Sequence, residues 1–143
     1  MNSKLLCATD GSHSAEKATD YAIELARKTG AYLTFLTVNH VTSADISRSV
    51  FWDSDMLNAA DAQLQAELKS ATVKAKAAGL SNVSCATVEG HNIAAAIIGF
   101  AESNGYDHVI TGSVGRTGVA RMLLGSIAQD VIVKAHCPVT VVR

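Results

Sequence analysis

The sequence lacks several features that would place it in other classes of protein. No apolar run is long enough to cross a bilayer as a helix, and the short apolar stretch near the N-terminus is interrupted at Asp10 before a signal-peptide core forms. The net charge is −1, whereas a protein that binds nucleic acid through its phosphates normally carries a basic excess. We therefore expect no membrane association and no nucleic-acid partner.

Cysteine and histidine also lack the spacing typical of disulfide, metal or nucleophilic sites. Cys7, Cys85 and Cys137 form no CxxC pair, and an odd, scattered set of thiols suits a reducing compartment. The five histidines show no H-x-x-x-H spacing. His136 adjoins Cys137, but sequence neighbours rarely have the geometry of a catalytic pair. We expect a cytoplasmic protein without metal-ligating or catalytic side chains of these types.

Short apolar runs alternate instead with segments of helical periodicity. The predicted strands cover 5–9, 32–38, 83–88, 108–111 and 139–142. The predicted helices cover 15–28, 57–78, 93–101 and 126–135. Strands joined by helical crossovers form a parallel sheet with helices on both faces. The 143 residues are the length of one ordinary domain, so the sequence predicts a single α/β domain over 1–143.

Local signals mark several boundaries of these elements. Gly30, Gly79 and Gly105 follow the first three helices and predict their ends. Ser126 and Gln129 have the S-x-x-Q spacing of a capping box at the start of the fourth helix.

The 39–53 segment shows no period. Long loops in compact domains are often functional lids. The alternatives are a disordered excursion, or packing of its Phe51 and Trp52 on the long helix or on a partner.

A glycine-rich segment leads from the fourth strand into the fourth helix. It runs from Thr111 to Gly118 and ends in Gly125-Ser126. Glycines let backbone N–H groups approach a phosphate closely, and a helix N-terminus adds donors and a favourable dipole. Arg116 and Ser126 supply further side-chain donors. The spacing fits neither the Walker A loop nor the Rossmann fingerprint, and an ordinary glycine-rich β–α loop with a serine cap is the alternative.

The spacing of these glycines resembles the ATP-binding class of the universal stress protein family. That class carries a Gly-x2-Gly-x9-Gly-Ser/Thr motif, which Gly112, Gly115, Gly125 and Ser126 match without a gap. The resemblance covers the whole chain, including the turn 10–12 after the first strand and the Cys-Pro-Val-x-Val-Val-Arg pattern at 137–143.

The resemblance implies a Rossmann-like, adenine-nucleotide alpha hydrolase-like fold with the sheet order 3-2-1-4-5. Strands one and four are then neighbours, and ligands of open α/β sheets bind at such a switch point. The implied ligand is ATP, with Mg²⁺ held chiefly by the phosphates and water. The implied binding residues fall into an adenosine group and a phosphate group. They are Ala8, Thr9, Asp10 and Val38 for adenosine, and Gly112, Ser113, Val114, Gly115, Arg116, Gly125, Ser126 and Ile127 for phosphates.

Several functions are compatible with these residues. A regulatory ATP-binding module in stress response, with at most slow hydrolysis, is the main hypothesis, because no catalytic constellation accompanies the loop. Asp10 could instead orient water in a true ATP hydrolase, or simply cap the first helix. A dimeric α/β interaction module without nucleotide is the third possibility. A phosphorelay receiver needs an acidic pair after its first strand, and this sequence has the single aspartate Asp10 there. The apolar edge strand 139–142 favours a homodimer, as the resemblance implies.

Overall fold

The computed structural model describes residues 3–9, 13–39, 54–113 and 124–143. Within these residues, five strands alternate with four helices, as the periodicity predicts. The strands are β1 (Lys4–Ala8), β2 (Tyr32–Asn39), β3 (Val83–Glu89), β4 (His108–Gly112) and β5 (Val139–Val142). The helices are α1 (His13–Thr29), α2 (Ser54–Ala77), α3 (Ile93–Ser103) and α4 (Ser126–Lys134).

The strands form one parallel sheet in the order β3-β2-β1-β4-β5. The prediction of a single-domain α/β fold with this order is therefore confirmed. In the register of the central strand, Leu6 pairs with Thr34 of β2 and with Val109 of β4. β1 and β4 are neighbours in the sheet, although β2 and β3 lie between them in the sequence. The order reverses between these two strands.

Two hydrophobic cores lie on opposite faces of the sheet. Successive side chains of a strand point to opposite faces, so Leu5 and Cys7 pack with α1 and α2 while Leu6 and Ala8 pack with α3 and α4. The helix residues in these two cores are mostly alanine, which lets the helices approach the sheet closely. They are Ala18, Ala22, Ile23 and Ala26 of α1, Leu68, Ala71 and Ala75 of α2, Ala94, Ile97 and Ala101 of α3, and Val131 of α4.

The end of α1 follows from a single glycine. Gly30 has a φ of 73°, a conformation that residues with a side chain rarely adopt. Its N–H donates to the carbonyl of Ala26 at 2.9 Å and completes the last turn. The predicted stop at this position is confirmed, and the chain passes directly into β2.

The start of α4 differs from the prediction, and the capping box is wrong. Ser126 is the first helical residue, and the cap position belongs to Gly125. The Gln129 side-chain amide donates to the carbonyl of Leu124 at 2.7 Å, instead of accepting from a backbone N–H at the cap. The physical reason is a shift of one residue: when glycine occupies the cap, Ser126 cannot place its hydroxyl where a cap side chain lies.

Strand β2 is one residue longer than predicted. Asn39 is 5% exposed, and its carbonyl accepts from the N–H of Gly90 at 3.0 Å. Phe51 and Trp52, with the rest of the 40–53 segment, lie outside the described residues. Across the parts of the chain that the structure describes, no helix has both the length and the apolar character needed to span a membrane.

Candidate functional site

The carboxyl ends of three adjacent strands bring several of the predicted residues together. Cys7 pairs with Ile110 in the β1–β4 register, so Thr9 and Gly112, each two residues further on, lie at the same level. The N–H of Thr9 donates to the carbonyl of Leu36 in β2 at 2.9 Å. Val38 lies two residues beyond Leu36 on β2. The ends of β2, β1 and β4 therefore form one edge at the point where the strand order reverses.

The loop between β4 and α4 begins and ends at a single hydrogen bond. The carbonyl of Ser113 accepts from the N–H of Gly125 at 2.7 Å. Gly112, the residue before, pairs with Val142 of β5. The 114–123 segment between these ends lies outside the described residues. The hydrogen bond between Ser113 and Gly125 therefore places the first residue of α4 beside the end of β4.

The N-terminus of α4 is suited to an anion. Its cap residue Gly125 has φ −65° and ψ 158°, and in the described part of the chain no side chain caps this helix end. Ser126 is exposed, while Ile127 is half-buried and packs against the α3 and α4 core. The first-turn N–H groups and the helix dipole both favour negative charge at this position.

The other predicted binding residues have different placements. The side chain of Ala8 is buried in the core with Leu6, and that of Val38 packs against the same core, so only their backbone groups face the carboxyl edge. Four predicted residues lie outside the described residues. They are Asp10, Val114, Gly115 and Arg116. The geometry thus brings together Thr9, the end of β4 and the start of α4.

Sequence reasoning missed an open cleft between α1 and α2 that reaches Thr9. Its volume is about 330 Å³. Six of its eight lining residues are polar or charged; the lining consists of Thr9, Glu16, Thr19, Ala66, Glu67, Ser70, Ala71 and Lys74. The sequence does indicate this polar face of α2, because Glu67, Ser70 and Lys74 follow one another at helical intervals beside the buried Ala71. At the far side of the cleft, the Lys74 ammonium lies 3.1 Å from the Asp20 carboxylate.

Two thiols, those of Cys7 and Cys137, are not activated. Burial raises the pKa of Cys7 to about 12, although a hydrogen bond with Thr19 acts in the opposite direction. Burial, assisted by the charge of Asp107, also raises the pKa of Cys137. A nucleophilic cysteine requires a lowered pKa.

Among the residues that the structure describes, no group of three His, Cys, Asp or Glu side chains is arranged to hold a metal ion.

The comparisons with known proteins agree on one family. The model of the universal stress protein family, Usp, matches residues 1–143. The universal stress protein MJ0531 of Methanocaldococcus jannaschii is 33% identical over 143 residues, which cover 98% of this chain and 81% of the relative.

Solved structures support the same fold. The hypothetical protein MJ0577, studied for structure-based assignment of its biochemical function, is 27% identical with a TM-score of 0.82, covering 99% of this chain and 96% of its own. A universal stress protein solved in complex with cAMP is 26% identical with a TM-score of 0.75, covering 99% and 97%. The cAMP is bound by that relative.

Proposed function

This chain belongs to the universal stress protein family, and from that premise we propose that it is a regulatory module that binds ATP at the carboxyl edge of β1 and β4. The phosphates lie on the loop that closes at Ser113 and on the first turn of α4. The nucleoside lies over the ends of β1 and β2, near Thr9 and the backbone of Val38. Residues 1–143 act as one universal stress protein domain.

One observation carries this proposal: as far as the structure describes the chain, the N-terminus of α4 has no side-chain cap, and it lies beside the strand switch point. Gly125 occupies the cap position, and its N–H donates to the carbonyl of Ser113, the residue after β4, at 2.7 Å. A polyphosphate placed there accepts from backbone N–H groups and from the exposed Ser126 hydroxyl. The relative that holds cAMP on the same fold supports adenine as the base.

Magnesium enters with the nucleotide in this proposal. Divalent magnesium keeps several waters and is commonly held by phosphate oxygens, with few protein ligands. That mode needs no preformed cluster of carboxylates. The protein's own part is to bind and orient the phosphates, and we expect at most slow hydrolysis, because phosphoryl transfer also needs an oriented nucleophile. Equal turnover in wild type and Asp10→Asn would argue against the hydrolase alternative.

The decisive experiment identifies the nucleotide that the purified protein carries. The protein is denatured, and released nucleotide is identified by mass spectrometry, with Gly115→Val as the variant that blocks the loop. We expect adenine nucleotide from wild type alone. Added ATP at 100 times its dissociation constant should also stabilise the fold by about 2.7 kcal/mol and raise the melting temperature. If neither protein releases nucleotide and ATP leaves the melting temperature unchanged, the proposal fails.

We also propose that β5 pairs with its copy in a homodimer. The N–H of Val109 donates to the carbonyl of Pro138, and that of Ser113 donates to the carbonyl of Val142, each at 3.0 Å. Because backbone direction alternates along a strand, Val139 and Val141 direct their N–H and C=O groups away from β4. Within the described residues no strand covers this edge. An uncovered apolar edge favours pairing with another strand.

Two substitutions at Val141 test the dimer proposal. Val141→Pro removes an outward N–H without removing a hydrogen bond to β4, so it should yield a folded monomer. Val141→Ala keeps the N–H and should remain dimeric. Light scattering at micromolar concentration distinguishes the two, and a monomeric wild type would overturn the proposal.

A further inference from the structure

We propose that nucleotide binding and the pairing of β5 are coupled through the backbone of Ser113, so that ATP strengthens the dimer and the dimer strengthens ATP binding. This inference rests on the proposed function, and it adds the regulation of the same site. Its basis is a set of backbone hydrogen bonds that connects the nucleotide loop to the edge strand.

Ser113 joins three elements with its two backbone groups. Its N–H donates to the carbonyl of Val142 at 3.0 Å, and its carbonyl accepts from the N–H of Gly125 at 2.7 Å. The carbonyl of Gly125 in turn accepts from the N–H of Gln129 at 3.0 Å, the first hydrogen bond of α4. A continuous path of main-chain bonds therefore runs from the end of β5, through the base of the loop, into the helix that receives the phosphates.

The edge strand β5 is paired on one side. β5 has four residues, and among the described strands it pairs with β4 alone. The Ser113–Val142 bond holds the carboxyl end of that strand, next to the outward-facing groups of Val141. A partner strand that pairs with Val139 and Val141 requires β5 to be extended and in register over its whole length. That same placement sets the position of Ser113.

The sign of the coupling follows from the shared residue. Phosphates on the first turn of α4 favour the arrangement in which Gly125 is held against Ser113. A partner on β5 favours the arrangement in which Val142 is held against Ser113. Both ligands therefore select one placement of the same residue, Ser113, whose N–H and C=O make the two hydrogen bonds, and this makes the coupling positive. Thermodynamic linkage makes it reciprocal: the factor by which ATP lowers the dimer dissociation constant equals the product of the changes in ATP affinity at the two sites of the dimer.

Sedimentation equilibrium of the wild-type protein, with and without saturating ATP and Mg²⁺, measures the coupling directly. We expect the dimer dissociation constant to fall by at least about fivefold with ATP, the lower end of common coupling factors. Because a dimer holds two nucleotides, calorimetric titration should show each site of the monomeric Val141→Pro variant binding ATP more weakly by the square root of that factor, about twofold. Val141→Ala, the matched control, should bind as wild type does.

Each outcome separates the inference from the proposed function. If ATP binds but leaves the dimer dissociation constant unchanged, the coupling is overturned and the nucleotide function stands. If ATP weakens the dimer, or if no dimer forms at any concentration, the coupling is likewise overturned. If ATP does not bind, both fail. Should circular dichroism show that Val141→Pro does not fold, ATP affinity of the wild type measured far below and far above the dimer dissociation constant gives the same change in affinity for each site.

Discussion

The hydroxyl of Tyr106 donates to Oγ1 of Thr34 at 2.7 Å, across the face of the sheet that α3 and α4 cover. Thr34 Oγ1 also lies 2.9 Å from the hydroxyl of Ser84 on the neighbouring strand. Tyr106 is 7% and Thr34 is 2% exposed, so water does not replace either partner easily. The three side chains form a buried polar bridge from the start of β4 across to the edge strand β3.

This bridge predicts unequal costs for removing the hydroxyl at its Tyr106 end and the hydroxyl at its centre, Thr34. Tyr106→Phe leaves Thr34 bonded to Ser84, so we expect the free energy of unfolding to fall by about 0.5–1.5 kcal/mol. Thr34→Val keeps the volume but leaves the Tyr106 hydroxyl buried without its acceptor, at a cost of about 1–3 kcal/mol. Urea unfolding of both variants measures the difference. Equal costs would show that the hydroxyl of Tyr106 finds another acceptor.

The cap position of α4 predicts opposite effects on stability and on binding. The φ and ψ of Gly125 are −65° and 158°, which other residues adopt readily. Gly125→Asp should stabilise the nucleotide-free protein by a few tenths of a kcal/mol, because its carboxylate caps the first-turn N–H groups. The same carboxylate occupies the proposed phosphate position, so we expect ATP affinity to fall at least about tenfold.

Gly125→Ala is the matched control for that substitution. It adds the same Cβ atom without a charge or a cap acceptor. Thermal unfolding gives the change in stability, and calorimetric titration gives the change in ATP affinity. If the aspartate and alanine variants bind ATP equally, phosphates do not lie at the start of α4.

His108 predicts how stability depends on pH. This half-buried side chain begins β4, and its Nε2 lies 2.7 Å from Oγ1 of Thr140 on β5. Burial lowers the pKa of His108 below its usual 6.5. As the pH falls below 6.5, the unfolded chain therefore takes up this proton before the folded protein does. Stability should decline from pH 6.5 downward until the folded pKa is passed, and the contribution is fully present above pH 6.5.

The histidine substitution that tests this dependence is His108→Gln. One proton contributes a slope of at most about 1.4 kcal/mol per pH unit, and the variant should lose that part of the slope. The exposed His136 provides the control His136→Gln. Urea unfolding at a series of pH values gives the slopes, and an unchanged slope in His108→Gln would assign the acid sensitivity to other groups.

The periodicity of the sequence predicted the elements of the fold because the pattern of burial follows it closely. Leu5, Leu6 and Cys7 are all buried, as a central parallel strand with two covered faces requires. Alanines at 18, 22 and 26 mark the buried stripe of α1 in the same way. The sheet order came from the family resemblance, because periodicity alone does not state which strands are neighbours.

Features that depend on single residues or on pairs of helices were harder to predict. The capping box was wrong because S-x-x-Q spacing does not state which residue first adopts helical angles, and Gly125 takes the cap. The cleft beside Thr9 was missed because the period of α2 shows which face is polar but not how far α1 lies from it. Asn39 was assigned to the loop because the 39–53 segment shows no period, although the carbonyl of Asn39 continues the sheet.

The three cysteines predict an order of reaction with a thiol reagent. Cys85 is exposed on β3, Cys137 is half-buried with a raised pKa, and Cys7 is fully buried with a pKa of about 12. Reaction requires both access and the thiolate. We expect Cys85 to react first, Cys137 more slowly, and Cys7 only when the sheet opens.

A time course with an aromatic disulfide reagent at pH 8 measures these three phases. Cys85→Ser should remove the fast phase and leave the others unchanged. The slowest phase should accelerate in urea in proportion to the unfolded population, because the central strand opens only when the fold does. Rapid labelling of Cys7 in the native protein, read by mass spectrometry of its peptide, would mean that β1 is exposed by a local opening between α1 and the sheet.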